Sequence, residues 1–178
     1  TRRIDRTPAG EKIRMEDFCQ LAERLTEDKY RGSLEKVGKL ILQYSEYPGI
    51  DLVDFFSRIV FCYIIGNSDM HLKNFSLIES SNGLRLAPAY DLVSTVLVLP
   101  EDKEESALTI NGKKANLNRS DFDALAKNLG LSDKQRDNVY YNYKECSDKF
   151  ISRINNSPIS VNNKNQLIEL IKQRITIF

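Results

Sequence analysis

The sequence predicts one mainly α-helical domain with a small β component. At 178 residues the chain can bury one hydrophobic core. Most of its apolar residues recur at helical spacing, and residues 52–65 are apolar on nearly every side. Two short apolar segments, 75–78 and 84–87, flank a Ser-Ser-Asn-Gly turn, which is typical of a β-hairpin. We therefore expect helices to form the body of the fold and one or two hairpins to supply its strands.

A hairpin and two helices are predicted before the apolar segment. Residues 1–14 are expected to form the hairpin, because a Pro and a Gly at its centre supply turn dihedrals. Residues 16–25 carry apolar side chains on one helical face. Ser33 is a suitable N-cap for the next helix, over residues 34–44.

The apolar segment 52–65 predicts a buried central helix, which Gly66 ends. Arg58 is the exception within it. If Arg58 is buried, it needs a partner, and one of the acidic residues near the polar block described below is a candidate. The alternative is an exposed position at the edge of the helix.

The C-terminal half is predicted to be helical after one further short strand. Residues 107–110 form that strand, and Asn111-Gly112 closes it. Three helices follow, over residues 119–128, 133–154 and 163–177. Ser132 caps the second of them, and its core face carries Val139, Tyr143, Cys146, Phe150 and Ile154.

A block of polar residues, 66–91, follows the central helix and contains the only histidine of the sequence, His71. Asp69 and Asn74 are separated by four residues, as in the kinase catalytic loop, where the Asp accepts the substrate hydroxyl proton and the Asn binds Mg²⁺. The hairpin predicted after them would return Asp91 to this loop, so that Asn74 and Asp91 could share a metal ion. The alternative is structural, because Asp and Asn also cap helices and form turns.

The same block resembles the HipA family of bacterial serine/threonine kinase toxins from toxin–antitoxin modules. GNSDMHLKNFS (66–76) is similar to the family signature G-N-x-D-x-H-x-K-N-F-S, and LAPAYD (86–91) to L-x-P-x-Y-D. Nearer the N-terminus, RIDR (3–6) resembles R-F-D-R and EDFCQ (16–20) resembles E-D-x-x-Q. The resemblance extends from the first residue to about Val96. It implies the helical C-terminal lobe of a protein-kinase-like fold, with the hairpins at the catalytic site.

Two residues are expected to take part in phosphoryl transfer, and the cofactors expected are ATP and Mg²⁺. Asp69 would orient the substrate hydroxyl and accept its proton. Lys73 would hold the γ-phosphate as a point charge, with an ordinary surface lysine as the alternative. Asn74 and Asp91 offer the oxygen ligands that Mg²⁺ prefers.

Three further residues are placed at the nucleotide by the resemblance. His71 and Tyr90 would line the nucleotide site, and Gln20 would lie close to it. Each has a structural alternative: the first two would brace the loop by hydrogen bonds, and Gln20 would be a surface residue.

The resemblance also divides the chain. Residues 1–14 would end the N-terminal lobe or hinge, 15–100 would form the catalytic core, and 101–178 a helical tail. The sequence has no glycine-rich loop before the polar block and begins at Thr1 in a strand-like segment. We therefore expect the chain to be part of a longer protein, and we expect it not to bind ATP tightly or turn over without the other lobe.

The composition of the chain argues against DNA and a membrane as binding partners. The 26 basic and 25 acidic residues leave a net charge of +1, so direct DNA binding is not expected. The three cysteines are far apart in the sequence, which favours a protein of the reducing cytoplasm. No apolar run is long enough for a membrane span.

The sequence leaves three functions open. The first, implied by the resemblance, is a serine/threonine kinase. Its substrate would be a protein, with an aminoacyl-tRNA synthetase as the family's example, and its partner a HipB-like helix-turn-helix antitoxin. The first alternative is a non-catalytic module that binds such an antitoxin. The second is a metal-dependent phosphohydrolase that uses the same Asp and Asn residues.

Overall fold

The computed structural model of the chain describes residues 3–178. Within that range it is mainly helical with a small β component, as predicted, and the strands form one three-stranded antiparallel sheet in the order β1-β2-β3. The strands are β1 (Met15–Asp17), β2 (Ser76–Ser80) and β3 (Gly83–Leu86). The helices are α1 (Phe18–Leu21), α2 (Leu34–Tyr44), α3 (Pro48–Ile65), α4 (Arg119–Asn128), α5 (Asp133–Glu145), α6 (Ser147–Asn155) and α7 (Val161–Ile175). Short 3₁₀ turns lie at Thr26–Asp28, Leu72–Asn74 and Thr95–Leu97.

The central helix is α3, and it begins earlier than predicted. Pro48 occupies its first turn, where the missing N–H costs no hydrogen bond. Phe55, Phe56 and Val60 are fully buried on it, and α2, α5, α7 and β3 pack around it. The helix ends at Gly66, as predicted.

Arg58 is largely buried, with 11% of its side chain exposed, and its acidic partner is Asp54 at 2.5 Å on the same helix. It also donates to the carbonyl of Ala87. The acidic partner is thus supplied by α3 itself and not by the polar block, because the residue one helical turn away satisfies the guanidinium.

The helix predicted over residues 16–25 is wrong at both ends. Met15–Asp17 is a strand, in which Glu16 pairs with Leu77 of β2. The helix α1 has a single turn, and Glu23 has a left-handed φ of 53° that ends the helical path. Pairing with β2 thus overrides the local helical pattern.

The other two predicted strand regions form isolated bridges, and the β2–β3 hairpin is confirmed. Between Arg6 and Lys12 a single bridge closes a hairpin-like turn; Thr1 and Arg2 of that prediction lie outside the described residues. Thr109 bridges Ser33, so the predicted strand over residues 107–110, all of which are described, is reduced to single bridges.

The long helix predicted over residues 133–154 breaks at Cys146 into α5 and α6. The bend lets the rings of Tyr143 and Phe150 pack against the same residue of α3, Phe61, with centroids 6.0 and 5.9 Å away. Helix α7 begins at Val161, two residues earlier than predicted, and buries Ile171. No helix among residues 3–178 is both long enough and apolar enough to cross a membrane.

Gly66 connects the fold to the polar block, and alanine is expected to be poorly tolerated there. Its φ is +71°, and an added Cβ would lie 2.6 Å from Leu170 Cδ2 and 3.0 Å from Val96 Cγ2. We expect Gly66→Ala to lower the free energy of unfolding in urea by roughly 2 kcal/mol. The control is Gly49→Ala, where an added Cβ meets nothing within 4 Å. Equal losses in both variants would show that the Gly66 backbone conformation is not required.

Candidate active site

The loop between α3 and β2 carries most of the predicted site residues. Gly66 turns the chain out of α3, and Asn67 N donates back to the carbonyl of Cys62 (2.8 Å). Met70 and Leu72 are buried in the core and anchor the loop from within. Its polar side chains are therefore held on a rigid support, as an active site needs.

Asp69 and Asn74 lie together in this loop. Asn74 Nδ2 donates to the backbone carbonyl of Asp69 (3.0 Å), and Asn67 Oδ1 accepts from Asp69 N (3.2 Å). The side chain of Asn74 is buried, while Asp69 is partly exposed. An amide nitrogen donates hydrogen bonds and does not bind cations, so the amide oxygen of Asn74 is the atom suited to a cation, and the bond from Nδ2 fixes the orientation of the amide.

The hairpin returns the chain to the same loop, as predicted. Asn67 Nδ2 donates to the backbone carbonyl of Asp91 (3.4 Å), and Thr95 Oγ1 accepts from Ser68 N (2.9 Å). Asp91 is exposed and has a left-handed φ of 55°. Such strained backbone is common at functional sites, and here it lies at a residue predicted to bind a metal.

Lys73 and Gln20 both contact Asp17. Lys73 Nζ lies 2.8 Å from Asp17 Oδ2, and this hydrogen bond raises the pKa of the lysine, which is therefore charged at neutral pH. Asp17 Oδ1 accepts from Gln20 N, and Gln20 Oε1 accepts from Asp17 N, which forms a capping box at the start of α1. Gln20 is exposed, and its side-chain oxygen serves this cap.

Tyr90 braces the far side of the loop. Its hydroxyl donates to the carbonyl of Lys73 (2.9 Å) and is also hydrogen-bonded to Ser76 Oγ. Burial raises the pKa of Tyr90 to about 12, so the phenol remains protonated. The bracing role considered from the sequence is thus visible in the structure.

His71 is buried, with 6% of its surface exposed, and its Nδ1 has no hydrogen-bond partner among residues 3–178. Burial, followed by the nearby charge of Lys29, lowers the pKa of the imidazole, so the ring is neutral at pH 7. Its ring meets the edge of Tyr30 with centroids 5.1 Å apart. A buried nitrogen without a partner can accept or donate one further hydrogen bond.

Tyr30 and Asp17 are site residues that the sequence interpretation missed. Tyr30 lies 39 positions before Asp69, yet its hydroxyl donates to Asp69 Oδ1 (2.9 Å). Tyr30 lies outside every motif noted in the sequence, so no local signal could have identified it. Asp17 lies within the E-D-x-x-Q segment, where the resemblance draws attention to Gln20 instead.

A cleft of about 360 Å³ opens beside Asp69, and we refer to it as the Asp69 cleft. Its lining residues are Tyr30, Ser68, Asp69, Thr95, Leu99, Asp102, Glu104 and Ala107. The partly exposed carboxylate of Asp69 is therefore reachable from solvent. Among residues 3–178, no three His, Cys, Asp or Glu side chains converge in a metal-binding arrangement.

Related sequences include proteins named as candidate kinases. Two proteins of Sinorhizobium fredii, both named as candidate kinases, are similar to this chain. Y4dM is 37% identical over 137 residues, covering 75% of this chain and 32% of the relative. Y4mE is 31% identical over 180 residues, covering 89% of this chain and 42% of the relative. The chain thus spans less than half the length of these relatives.

Two solved structures share the fold. HipA of Shewanella oneidensis MR-1, solved in a complex with HipB and operator DNA, superposes with a TM-score of 0.78 at 19% identity, covering 97% of this chain and 46% of HipA. The proinflammatory kinase CtkA of Helicobacter pylori gives a TM-score of 0.62 at 19% identity, covering 97% of this chain and 70% of CtkA. The kinase-like fold prediction is thereby confirmed.

The family model described as the HipA-like C-terminal domain matches residues 1–152, which is most of the chain. The match includes every predicted site residue, from Gln20 to Asp91. The chain therefore belongs to the HipA-like C-terminal domain family.

Proposed function

We propose that this chain is the catalytic lobe of a serine/threonine-protein kinase, which transfers the γ-phosphate of ATP to a protein hydroxyl with Mg²⁺. The observation that carries this proposal is the hydrogen bond from Asn74 Nδ2 to the Asp69 carbonyl. It fixes two residues at catalytic-loop spacing in one loop, and the first of them, Asp69, lines a solvent-accessible cleft. Relatives named as candidate kinases support the same activity.

Asp69 is proposed to accept the proton of the acceptor hydroxyl. As that oxygen bonds to the γ-phosphorus, the bond from phosphorus to the bridging oxygen breaks and ADP leaves. Partial exposure lets the carboxylate meet a substrate, and the hydrogen bonds of its backbone fix its position. Base assistance of this kind is worth ~10²–10⁴-fold in rate.

Asn74 and Asp91 are proposed to hold Mg²⁺, and the donor set fits that ion. The amide of Asn74 is oriented by the bond from its nitrogen and offers its oxygen to a cation, and the Asp91 carboxylate is exposed beside the same loop. Two protein oxygens, completed by phosphate oxygens and waters, are a common magnesium environment. When bound, Mg²⁺ neutralises charge on the phosphates.

Lys73 is proposed to reach the γ-phosphate by exchanging its partner. It is paired with Asp17 and about one third exposed, so the ion pair faces solvent and can be replaced by a phosphate. His71, with its unpartnered nitrogen, and Tyr90 are proposed to border the nucleotide. Gln20 would have to give up its cap to Asp17 to contact ATP, which makes it the weakest of these assignments.

The second lobe, the partner and the substrate are proposed for a protein of the relatives' length. The relatives are more than twice as long as the matched region, and we propose that a second lobe supplies the remaining phosphate contacts. The HipA neighbour was solved with HipB, which supports a HipB-like helix-turn-helix antitoxin as partner in a type II toxin–antitoxin module. An aminoacyl-tRNA synthetase in the cytoplasm is the substrate that the family resemblance suggests.

The test uses the full product of the gene, labelled ATP and a cytosolic extract. With Mg²⁺ we expect label to accumulate on phosphoserine or phosphothreonine of a discrete protein band. Chelation by EDTA is expected to remove the signal, and added Mg²⁺ to restore it. The labelled band would identify the substrate.

Two results would contradict the proposal. Release of labelled free phosphate without phosphoprotein would indicate a phosphohydrolase. Full protein labelling in EDTA would exclude Asn74 and Asp91 as ligands of a required metal ion.

A further inference from the structure

Tyr30 is tied to the candidate base across a long stretch of sequence. Its hydroxyl donates to Asp69 Oδ1 at 2.9 Å, although the two residues are 39 positions apart. Among residues 3–178 the other carboxylate oxygen, Oδ2, has no hydrogen-bond partner. The carboxylate is therefore held at one oxygen and free at the other.

The position of Tyr30 is fixed by contacts on several sides. Lys29 Nζ lies 4.9 Å from the centroid of its ring, and the ring makes a T-shaped contact with that of His71. The adjacent backbone is bonded to the catalytic loop, since Leu72 N donates to the carbonyl of Lys29 (3.1 Å). A hydroxyl held in this way limits the rotation of the carboxylate it contacts.

The phenol of Tyr30 stays protonated and can therefore donate a hydrogen bond to Asp69. Burial and then the hydrogen bond to Asp69 raise the pKa of the phenol above its usual value, so it keeps its proton throughout the physiological range. The residue is nevertheless 43% exposed and lines the Asp69 cleft, so it stands where an acceptor would approach.

We infer that Tyr30 is a positioning residue for phosphoryl transfer: it fixes Asp69 through Oδ1 so that Oδ2 faces the acceptor hydroxyl. This inference rests on the proposed kinase function. It assigns the loop around the 3₁₀ turn Thr26–Asp28 to the acceptor side of the site, although no motif marks that loop. Misplacing a reacting group by about 1 Å can cost on the order of 10²-fold in rate.

The experiment compares wild type, Tyr30→Phe, Asp69→Asn and the double variant in the full gene product. Phenylalanine keeps the ring packed against His71 and removes only the hydroxyl. We expect kcat for protein phosphorylation to fall on the order of 10-fold, with KM for ATP unchanged. In the Asp69→Asn background the second substitution is expected to have no further effect, because the hydroxyl acts through that carboxylate. The matched control is Tyr141→Phe, an exposed tyrosine on α5.

Other results would overturn the inference in recognisable ways. Faster phosphorylation by Tyr30→Phe would identify Tyr30 as a block of the cleft. Unchanged kcat, or losses that add in the double variant, would show that the hydroxyl does not act through Asp69. If wild type forms no phosphoprotein, the kinase proposal fails and the role of Tyr30 with it; if wild type is active and Asp69→Asn is not, the kinase proposal stands whatever Tyr30→Phe does.

Discussion

Asp69→Asn is expected to reduce protein phosphorylation by ~10²–10⁴-fold, which is the usual contribution of a positioned general base. Asparagine has the same shape, and its amide oxygen can still accept the hydrogen bond from Tyr30. The substitution therefore removes the proton acceptor while leaving the loop in place. The measurement is the initial rate of label transfer to protein, with the same Mg²⁺ and ATP concentrations for both enzymes.

Two companion measurements make the result specific to catalysis. Binding of a fluorescent ATP analogue is expected to be unchanged in Asp69→Asn, because the metal and phosphate contacts are assigned to other residues. Asp148→Asn, at an exposed position on α6, is the matched control and should retain full activity. Asp69→Asn activity within twofold of wild type would remove Asp69 from the mechanism.

The sequence was most informative where one residue determines the local geometry. Ser33 caps α2 through its hydroxyl, and Gly66 ends α3 with a left-handed φ, both as predicted. The proximity of Asp69 and Asn74 was also predictable from the sequence, because the two residues are close along the chain and a local hydrogen bond joins them.

The sequence failed where distant segments compete with a local pattern. Residues 16 and 17 were assigned to a helix with the segment that follows, yet together with Met15 they pair with β2, because that edge would otherwise be open. Cys146 gave no sign of a helix break, because the bend is required by the packing of α5 and α6 on Phe61. Tyr30 and Asp17 reach the site only through the tertiary fold.

Asp51 is the clearest case of a residue whose role depends on the fold. The sequence shows it only as an acidic residue near the start of a helix, but it is 2% exposed and its carboxylate accepts four hydrogen bonds, three from side chains and one from the backbone. Arg85 donates Nε and Nη2 to Oδ1 (3.1 and 3.0 Å). Leu86 N (2.8 Å) and Ser45 Oγ (2.5 Å) donate to Oδ2.

These bonds join the start of α3 to β3. Helix α3 ends at Gly66, from which the loop of Asp69 begins, and β3 leads to Asp91. Asp51 therefore links the two elements that deliver the candidate base and one candidate metal ligand. Loss of this link is expected to loosen both.

Asp51→Ala is expected to lower the free energy of unfolding by about 3 kcal/mol, the low end for breaking a buried ion pair, because Arg85 is partly exposed and can turn to water. The buried N–H of Leu86 cannot turn to water in the same way, so it loses its hydrogen-bond acceptor. Urea unfolding with an unchanged m-value measures the effect.

Two control variants accompany this measurement. Asp51→Asn, which keeps one acceptor oxygen, should lose roughly half as much stability, and Asp148→Ala should lose no more than about 0.5 kcal/mol. A loss below about 1 kcal/mol for Asp51→Ala would mean that apolar packing alone holds β3 against α3, and that the position of Asp91 does not depend on this carboxylate.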